Sequence, residues 1–248
     1  MDETGQAVTE DRMLGGRLAL RQPAKGYRAG LDAALLAAAC DARPGELVIE
    51  PGCGVGAAML AAAARRPGVS FVGIERDAAA LALAAANIAL NRLGERVQAL
   101  AGDVAAPPSQ PRSFDAALCN PPFFDNPGQL RAPHPARAGA WMADDGLAAW
   151  TGFLLAAVRD GGALTLIHRA DRLADLLALL GAKAGGFQVR PVHPFADAPA
   201  SRVLLRAVRS GKAPLRVLPP LVLHERGGAK HTPEADAILR GEADLPWL

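Results

Sequence analysis

The amino-acid sequence predicts an α/β fold: a doubly wound, Rossmann-like, mostly parallel sheet of seven strands with the last strand antiparallel. Three observations carry this prediction. From residue 31 onward, apolar β-rich runs alternate with Ala- and Leu-rich helical runs, the pattern of a parallel sheet wound with helices. The last two apolar runs are separated by one short loop with no helical run between them, which reverses the final strand. At 248 residues and 50% hydrophobic, the chain can bury one large core, which fits a single α/β domain with extensions better than two full domains.

Taken in order, a helical run at 31–41 leads into a strand at 46–50 (ELVIE), a helix at 55–66 and a strand at 70–75 (SFVGIE). Asp77 stands at the start of the next helix, 78–92, as its N-cap. Strands follow at 97–102 (VQALAG) and 114–119 (FDAALC). The second of these is stopped by Asn120-Pro121-Pro122, because proline fixes its own backbone angle and removes an N–H from the ladder. A helix at 144–159, a strand at 163–168 (ALTLIH), a helix at 171–184 and strands at 187–192 (FQVRPV) and 202–208 (RVLLRAV) complete the rhythm. Alanine is the strongest helix former, so the Ala-rich runs are read as helices and not as low complexity.

This divides the chain into a basic N-terminal extension (1–30), a core domain (31–210) and a C-terminal tail (211–248). In the tail, Thr232 and Pro233 open one more helix as N-cap and first residue. Residues 125–143, containing Pro and Arg, follow the proline turn and read as a loop over a site.

Composition narrows the function classes. A net charge of +2 is too weak to mark a nucleic-acid binder globally, so such a partner must rest on local clusters. Cys40, Cys53 and Cys119 are odd in number, spaced for neither a zinc ribbon nor a disulfide framework, and fit a reducing cytoplasm. The N-terminus, MDETGQAVTEDRM, is acidic and polar with no apolar leader segment, and no later apolar run reaches the length of a membrane span. The expectation is a soluble cytosolic protein, monomeric or homodimeric. His168, His193, His224 and His231 lack metal-ligand spacing, and no metal is assigned. His134, near Arg131 and Arg137, reads as a solvent-exposed loop histidine or a phosphate contact.

The stretch VIEPGCGVGAAML places Gly52, Gly54 and Gly56 directly after a strand and before a helix, where glycine lets the backbone turn sharply and approach a ligand. The spacing is G-x-G-x-G, one residue short of the dinucleotide pattern, and is typical of S-adenosylmethionine binding. Glu75 ends the second strand, where a carboxylate can accept two hydrogen bonds from ribose hydroxyls, each contributing about 1.5–3 kcal/mol. Asp103 follows the third strand, where it can accept from the adenine amino group. Each acid alone also reads as a helix cap or a solvated strand end. Together with the glycines they mark the carboxyl ends of three consecutive strands, the edge at which open α/β sheets bind ligands. Glu50, ahead of the glycines, either braces the loop or lies near the cofactor's methionine part.

In a doubly wound sheet the fourth strand lies beside the first, so Asn120 should face the glycine loop. Asn120-Pro121-Pro122-Phe123 resembles the [NDS]-P-P-[YFW] signature of class I methyltransferases that modify an amino or amide nitrogen. With the Glu50–Gly56 loop, the resemblance runs in order over residues 46–210. It implies the class I methyltransferase fold, S-adenosylmethionine as cofactor, and Asn120, Pro121, Pro122 and Phe123 as catalytic positions, with Asn120 also against the cofactor. Glu50-Pro51 stands where that family more often has Asp-Leu, leaving the glycines intact.

The chemistry of these residues can be stated independently. An exocyclic amine on an aromatic ring is a poor nucleophile because its lone pair is delocalised. The Asn120 side-chain oxygen and the Pro121 carbonyl can each accept one of its N–H groups, drawing the nitrogen toward tetrahedral geometry and aiming its lone pair at a sulfonium methyl. Phe123 can stack on a planar base, worth about 1–3 kcal/mol, while Phe124 reads as core. No metal or strong general base is required, because the donor already carries the leaving-group charge. The alternative for the motif is a stiff turn.

Residues 14–39 resemble the entry segment of bacterial valine-tRNA adenine-N6 methyltransferases, which implies the adenine next to the anticodon (position 37) as substrate. Physically, Arg12, Arg17, Arg21, Lys25 and Arg28 form a run without an intervening acid, with Tyr27 within it, suited to backbone tracking and stacking on RNA or else to a solvated edge. Arg202, Arg206, Arg209, Lys212 and Arg216 form a second acid-free run, in which Arg202 and Arg206 share one strand face, either an RNA contact or a polar outer face. The segment following Pro220 resembles the C-terminal tail of the same group. Competing readings are a guanine-N2 ribosomal RNA enzyme, a protein glutamine methyltransferase, a non-catalytic RNA-binding module on the same fold and, more remotely, a nicotinamide oxidoreductase.

Overall fold

A computed structural model of the chain describes residues 7–25, 28–109, 111–123 and 146–248. Val8–Met13 (β1) and Leu18–Pro23 (β2) form an antiparallel hairpin. Then come α1 (Leu31–Ala38), β3 (Leu47–Pro51), α2 (Ala57–Arg65), β4 (Ser70–Glu75), α3 (Ala78–Leu90), β5 (Val97–Ala101) and β6 (Phe114–Cys119). These are followed by α4 (Gly146–Ala157), β7 (Val158–Arg169), α5 (Leu173–Gly181), β8 (Ala184–His193) and β9 (Arg202–Arg209). The two-residue strands β10 (Arg216–Val217) and β11 (Leu221–Val222) precede α6 (Pro233–Arg240).

The seven long strands expected from the sequence lie in the order β8-β9-β7-β6-β3-β4-β5. Strand β9 runs antiparallel to both neighbours, as its short connection requires. The fourth core strand does lie beside the first: Val48 and Ile49 of β3 stand opposite Ala116 and Ala117 of β6. One correction is needed. β10 and β11 add to β8 in parallel and extend the sheet to nine strands. Two residues carry no alternating pattern, so periodicity cannot reveal them.

Helix starts follow local chemistry. The Asp77 side chain accepts the Ala80 N–H at 2.7 Å and caps α3, and Thr232 accepts the Ala235 N–H at 3.2 Å ahead of Pro233 at the start of α6. The core lies on both faces of the sheet. One cluster joins α1 and α2 to Phe71 and Leu118; the other joins α4 and α5 to Ile49, Leu164 and Leu205.

Both extensions fold into the first cluster. Leu14, Leu18 and Leu20 from the N-terminal side, and Leu221, Ile238 and Leu245 from the tail, are almost fully buried there. Burying each such leucine or isoleucine is worth about 1.5–3 kcal/mol. Arg17 ties the two termini together, donating to the carbonyls of Arg240 and Gly241 at 2.8 Å each, where the α6 backbone has run out of partners. Among the described residues no helix is long and apolar enough to cross a membrane.

Candidate active site at the carboxyl edge of the sheet

The five parallel strands β7-β6-β3-β4-β5 end along one edge, and their order brings the chemistry-bearing residues together. The glycine loop follows β3, Glu75 ends β4, Asp103 lies beyond β5, Asn120 follows β6 on the other side of β3, and His168 sits at the end of β7.

The loop from Gly52 to Gly56 is held from several directions. The Cys53 N–H donates to the Ile74 carbonyl at 3.0 Å and the Gly56 N–H to the Cys53 carbonyl at 2.9 Å. The Gly54 N–H donates to Glu75 Oε2 at 2.8 Å, and Glu75 Oε1 accepts the Asp77 N–H at the same distance. Glu75 therefore anchors the glycine loop to the start of α3, leaving a second lone pair on each oxygen for a further donor. Glu50 is 4% exposed and accepts the Met59 N–H at 2.8 Å, one of the orphan donors of the first turn of α2. Burial pushes its carboxyl up to about 8, against the lowering effect of that hydrogen bond and with a further rise from Glu75.

Gly52 and Gly54 have φ of +64° and +56°, in the left-handed region that favours glycine. They differ in surroundings. A Cβ on Gly52 would stand 2.3 Å from Cη2 of Trp150, whereas a Cβ on Gly54 meets no atom of the described residues within 4 Å. Gly52 is packed against protein; Gly54 faces space that no described residue fills.

Asp103 accepts the Ala105 N–H at 2.9 Å and lies 3.9 Å from Arg76. It is one of the residues lining a cavity of about 430 Å³ on the β3–β5 face, with the apolar Ile49, Val72 and Ile74 and the polar Glu95, Arg96 and Gln98. Gly54, the Glu75 carboxylate and Asp103 are the groups here that could hold an adenosine-bearing cofactor, with Glu50, Gly52 and Gly56 shaping the loop.

On the other side of β3, the Asn120 side-chain oxygen is buried and Pro121 is buried behind it. The ledge continues into Phe123, whose ring meets His168 edge-on at 5.4 Å and 85°. The Arg202 guanidinium lies over the Phe123 ring, 4.5 Å from its centroid.

The basic residues fall differently from what their sequence runs imply. The hairpin register sets Glu10 opposite Arg21, and Glu10 lies 3.5 Å from the Arg21 guanidinium and 3.2 Å from that of Arg12. Arg28 pairs with Asp11 and donates to Thr9 at 2.7 Å. Arg202 meets Asp32 at 3.3 Å, Arg206 meets Asp41 at 2.8 Å and Arg209 meets Asp160 at 3.0 Å. Lys25 is exposed at the end of β2. Tyr27, Phe124, Arg131, His134, Arg137 and the whole of residues 125–143 lie outside the described residues, as does Gly26.

Several site residues escaped the sequence reading. Asn87 is fully buried on α3, where it accepts the Arg21 N–H at 2.7 Å and donates to the carbonyls of Arg21 at 2.9 Å and of Val55 at 3.0 Å. Asn91, one turn on, accepts the Ala19 N–H at 3.0 Å and donates to its carbonyl at 2.7 Å. The two amides complete the free edge of β2 as a neighbouring strand would, and Asn87 also reaches the glycine loop. Their signal was available: two asparagines four apart in an otherwise Ala/Leu-rich helix. Trp150, Asp32 and His168 had no local signal. Among the described residues no group of three or more His, Cys, Asp or Glu side chains is arranged to hold a metal ion.

The chain is similar to known methyltransferases. Residues 28–132 match the family described as Methyltransferase small domain. Over 86 residues the chain is 40% identical to a release factor glutamine methyltransferase of Gloeobacter violaceus, a match spanning 34% of this chain and only 29% of that relative. Among solved structures, protein Atu636 of Agrobacterium tumefaciens, described as a predicted O-methyltransferase, is 26% identical with a TM-score of 0.72, covering 86% of this chain and 98% of that one. The 16S rRNA N2 G1207 methyltransferase of T. thermophilus, in complex with AdoMet and guanosine, is 25% identical with a TM-score of 0.60, covering 82% of this chain and 50% of that one. The fold is that of the class I methyltransferases.

Proposed function

We propose that this methyltransferase-fold chain uses S-adenosyl-L-methionine to methylate a conjugated exocyclic nitrogen of RNA, with adenine N6 of a valine tRNA, next to the anticodon, as the acceptor. The cofactor is supported by the methyltransferase family match and by structural neighbours described with AdoMet or a related adenosine ligand. The finer acceptor rests on the Asn120–Phe123 ledge and on the resemblance of residues 14–39.

The observation that carries the reading is the position of Asn120, at the end of β6 and one strand from the glycine loop, with its side-chain oxygen held in the interior. When bound, S-adenosyl-L-methionine supplies a methyl group on a sulfonium that leaves as a neutral thioether. The chain's own part is to hold the acceptor. Asn120 and the Pro121 carbonyl accept its two N–H groups, and Phe123 borders its plane. These acceptors stabilise the charge that grows on nitrogen as the new C–N bond forms, and the surplus proton then passes to water. An amide oxygen cannot take a proton from a hydroxyl, so the ledge favours a nitrogen acceptor over an oxygen one. An unpaired anticodon-loop base costs less to present than one extruded from a duplex.

A protein glutamine is the second reading, supported by the 40% identity over 86 residues to the release factor enzyme. The deciding experiment is transfer of tritium from labelled S-adenosyl-L-methionine into total tRNA, ribosomal RNA and protein fractions, with Asn120→Ala beside wild type and nucleoside analysis of the product. Label in tRNA as N6-methyladenosine, reduced at least about 100-fold in the variant, is the expected result. Label in guanosine or in protein overturns the acceptor, and label that survives in Asn120→Ala overturns the ledge.

A further inference from the structure

Phe123 is the outermost described residue of the ledge, and two side chains from other strands hold its ring. His168, 1% exposed at the end of β7, meets it edge-on, the orientation in which the positive edge of one ring faces the negative face of another. His168 Nε2 also lies 3.4 Å from the Pro122 carbonyl oxygen, to which an Nε2–H donates. Arg202, the first residue of β9, lays its guanidinium on the ring. That guanidinium is itself held by Asp32 in the first turn of α1, and it donates to the Ser201 carbonyl at 3.0 Å.

We propose that Arg202, held by Asp32, is a positioning residue: it fixes the Phe123 ring, and through it the Asn120–Pro122 ledge, and does not contact the RNA backbone. The inference rests on the ledge's assignment above but assigns a task to a pair that assignment does not use. The planar fork of arginine matters here, because it can lie flat on a ring while its edge meets a carboxylate, which an ammonium cannot do. Arg202 and Asp32 are only 28% and 18% exposed at their side chains, so the pair is partly withdrawn from solvent and its geometry is constrained. With one face of Phe123 covered by Arg202, an acceptor base is left the remaining exposed surface of the ring.

The test uses the full chain with Arg202→Lys, Arg202→Met and Asp32→Asn. The readouts are amide hydrogen exchange at Asn120 and Phe123, and steady-state methylation of tRNA over a range of salt. Positioning predicts faster exchange at both amides in Arg202→Met and Asp32→Asn, with exchange through the glycine loop unchanged. It also predicts a loss of about 10- to 100-fold in kcat in all three variants, with KM for tRNA and its salt dependence unaltered. A phosphate-contacting Arg202 would instead raise KM, flatten the salt dependence and leave Arg202→Lys close to wild type, which would overturn the proposal. Unchanged exchange at Asn120 and Phe123 would overturn it as well. If tRNA proves not to be the acceptor, wild type itself fails to turn over while the exchange comparison still decides the clamp.

Discussion

Replacing Gly52 and Gly54 one at a time by alanine separates what the glycine loop does for the fold from what it does for the ligand. Both residues sit at positive φ, so each substitution incurs the left-handed penalty of about 1–2 kcal/mol. A small part is recovered because alanine restricts the unfolded chain. Gly54→Ala adds nothing further, since the new methyl meets no described atom within 4 Å. Gly52→Ala drives its methyl to 2.3 Å from Cη2 and 2.6 Å from Cζ3 of a tryptophan that is 8% exposed and packed in the second core cluster. Overpacking of that kind costs about 1–3 kcal/mol, bringing the total to about 2–5 kcal/mol. That is a large share of a typical net stability of about 5–15 kcal/mol.

The expected pattern is therefore crossed. Urea denaturation without ligand should show Gly52→Ala losing more stability than Gly54→Ala, and Trp150→Phe combined with Gly52→Ala should recover part of the loss by shortening the ring. Calorimetric titration with S-adenosylhomocysteine should show the reverse order, Gly54→Ala losing at least about tenfold in affinity, or ~1.4 kcal/mol, because its methyl fills the space the ligand needs. Wild-type affinity in Gly54→Ala would refute the placement of the ligand over this loop. Equal destabilisation by the two substitutions would refute the packing argument.

Two further outcomes follow from buried polar groups. Glu50 has its folded pKa raised from 4.5 to about 8, so the native chain keeps a proton that the unfolded chain releases, and stability falls as pH rises through this window. Glu50→Gln should remove that slope and be more stable than wild type at pH 8 by up to about 4–5 kcal/mol; parallel stability–pH profiles from denaturation would refute it. Asn87→Leu strips partners from the Arg21 N–H and from the Arg21 and Val55 carbonyls, a cost of about 3–5 kcal/mol. It should also weaken S-adenosylhomocysteine binding, whereas Asn91→Leu, which leaves the Val55 contact in place, should destabilise the hairpin and spare the ligand, as thermal denaturation and calorimetry would show.

What was legible in the sequence is what local physics writes there. The turn chemistry of Asn120-Pro121-Pro122, the caps at Asp77 and Thr232, and the reversal into β9 all depend on neighbours within a few residues. The site's charge pattern was not legible for the same reason. Arg202 and Asp32 are 170 residues apart, and Arg206 and Asp41 165, so a run of arginines that looks unopposed along the chain is opposed in space. The hairpin shows the effect at short range: the run from Arg12 to Arg28 contains no acid, but β1 carries Glu10, which antiparallel pairing sets against Arg21, and Asp11, which Arg28 reaches from beyond β2. The attraction of these two runs for any polyanion is thus weaker than their composition implies. Among the described residues, the exposed cations of these runs with neither an acid nor a carbonyl partner are Lys25 in the first and Lys212 and Arg216 in the second.

Glu75 shows why a residue's role at such a site resists a single label. Its two oxygens already accept backbone N–H groups from the glycine loop and from the start of α3, so the same carboxylate that suits ribose hydroxyls also sets the distance between β3 and β4 at their ends. Glu50 does likewise for α2, and Asn87 for Val55. The loop is therefore shaped before any ligand arrives, by side-chain acceptors and donors standing in for a missing strand or helix turn. Preorganisation of this kind lowers the ordering cost of binding, and it means that truncating Glu75 removes structure whatever ligand contact it also carries. The ledge is arranged on the same plan. Its prolines remove backbone freedom, while Asp32, Arg202 and His168 reach in from α1, β9 and β7 to hold its last ring. In this fold the glycine loop and the proline ledge, on either side of β3, are each stiffened by residues remote in sequence.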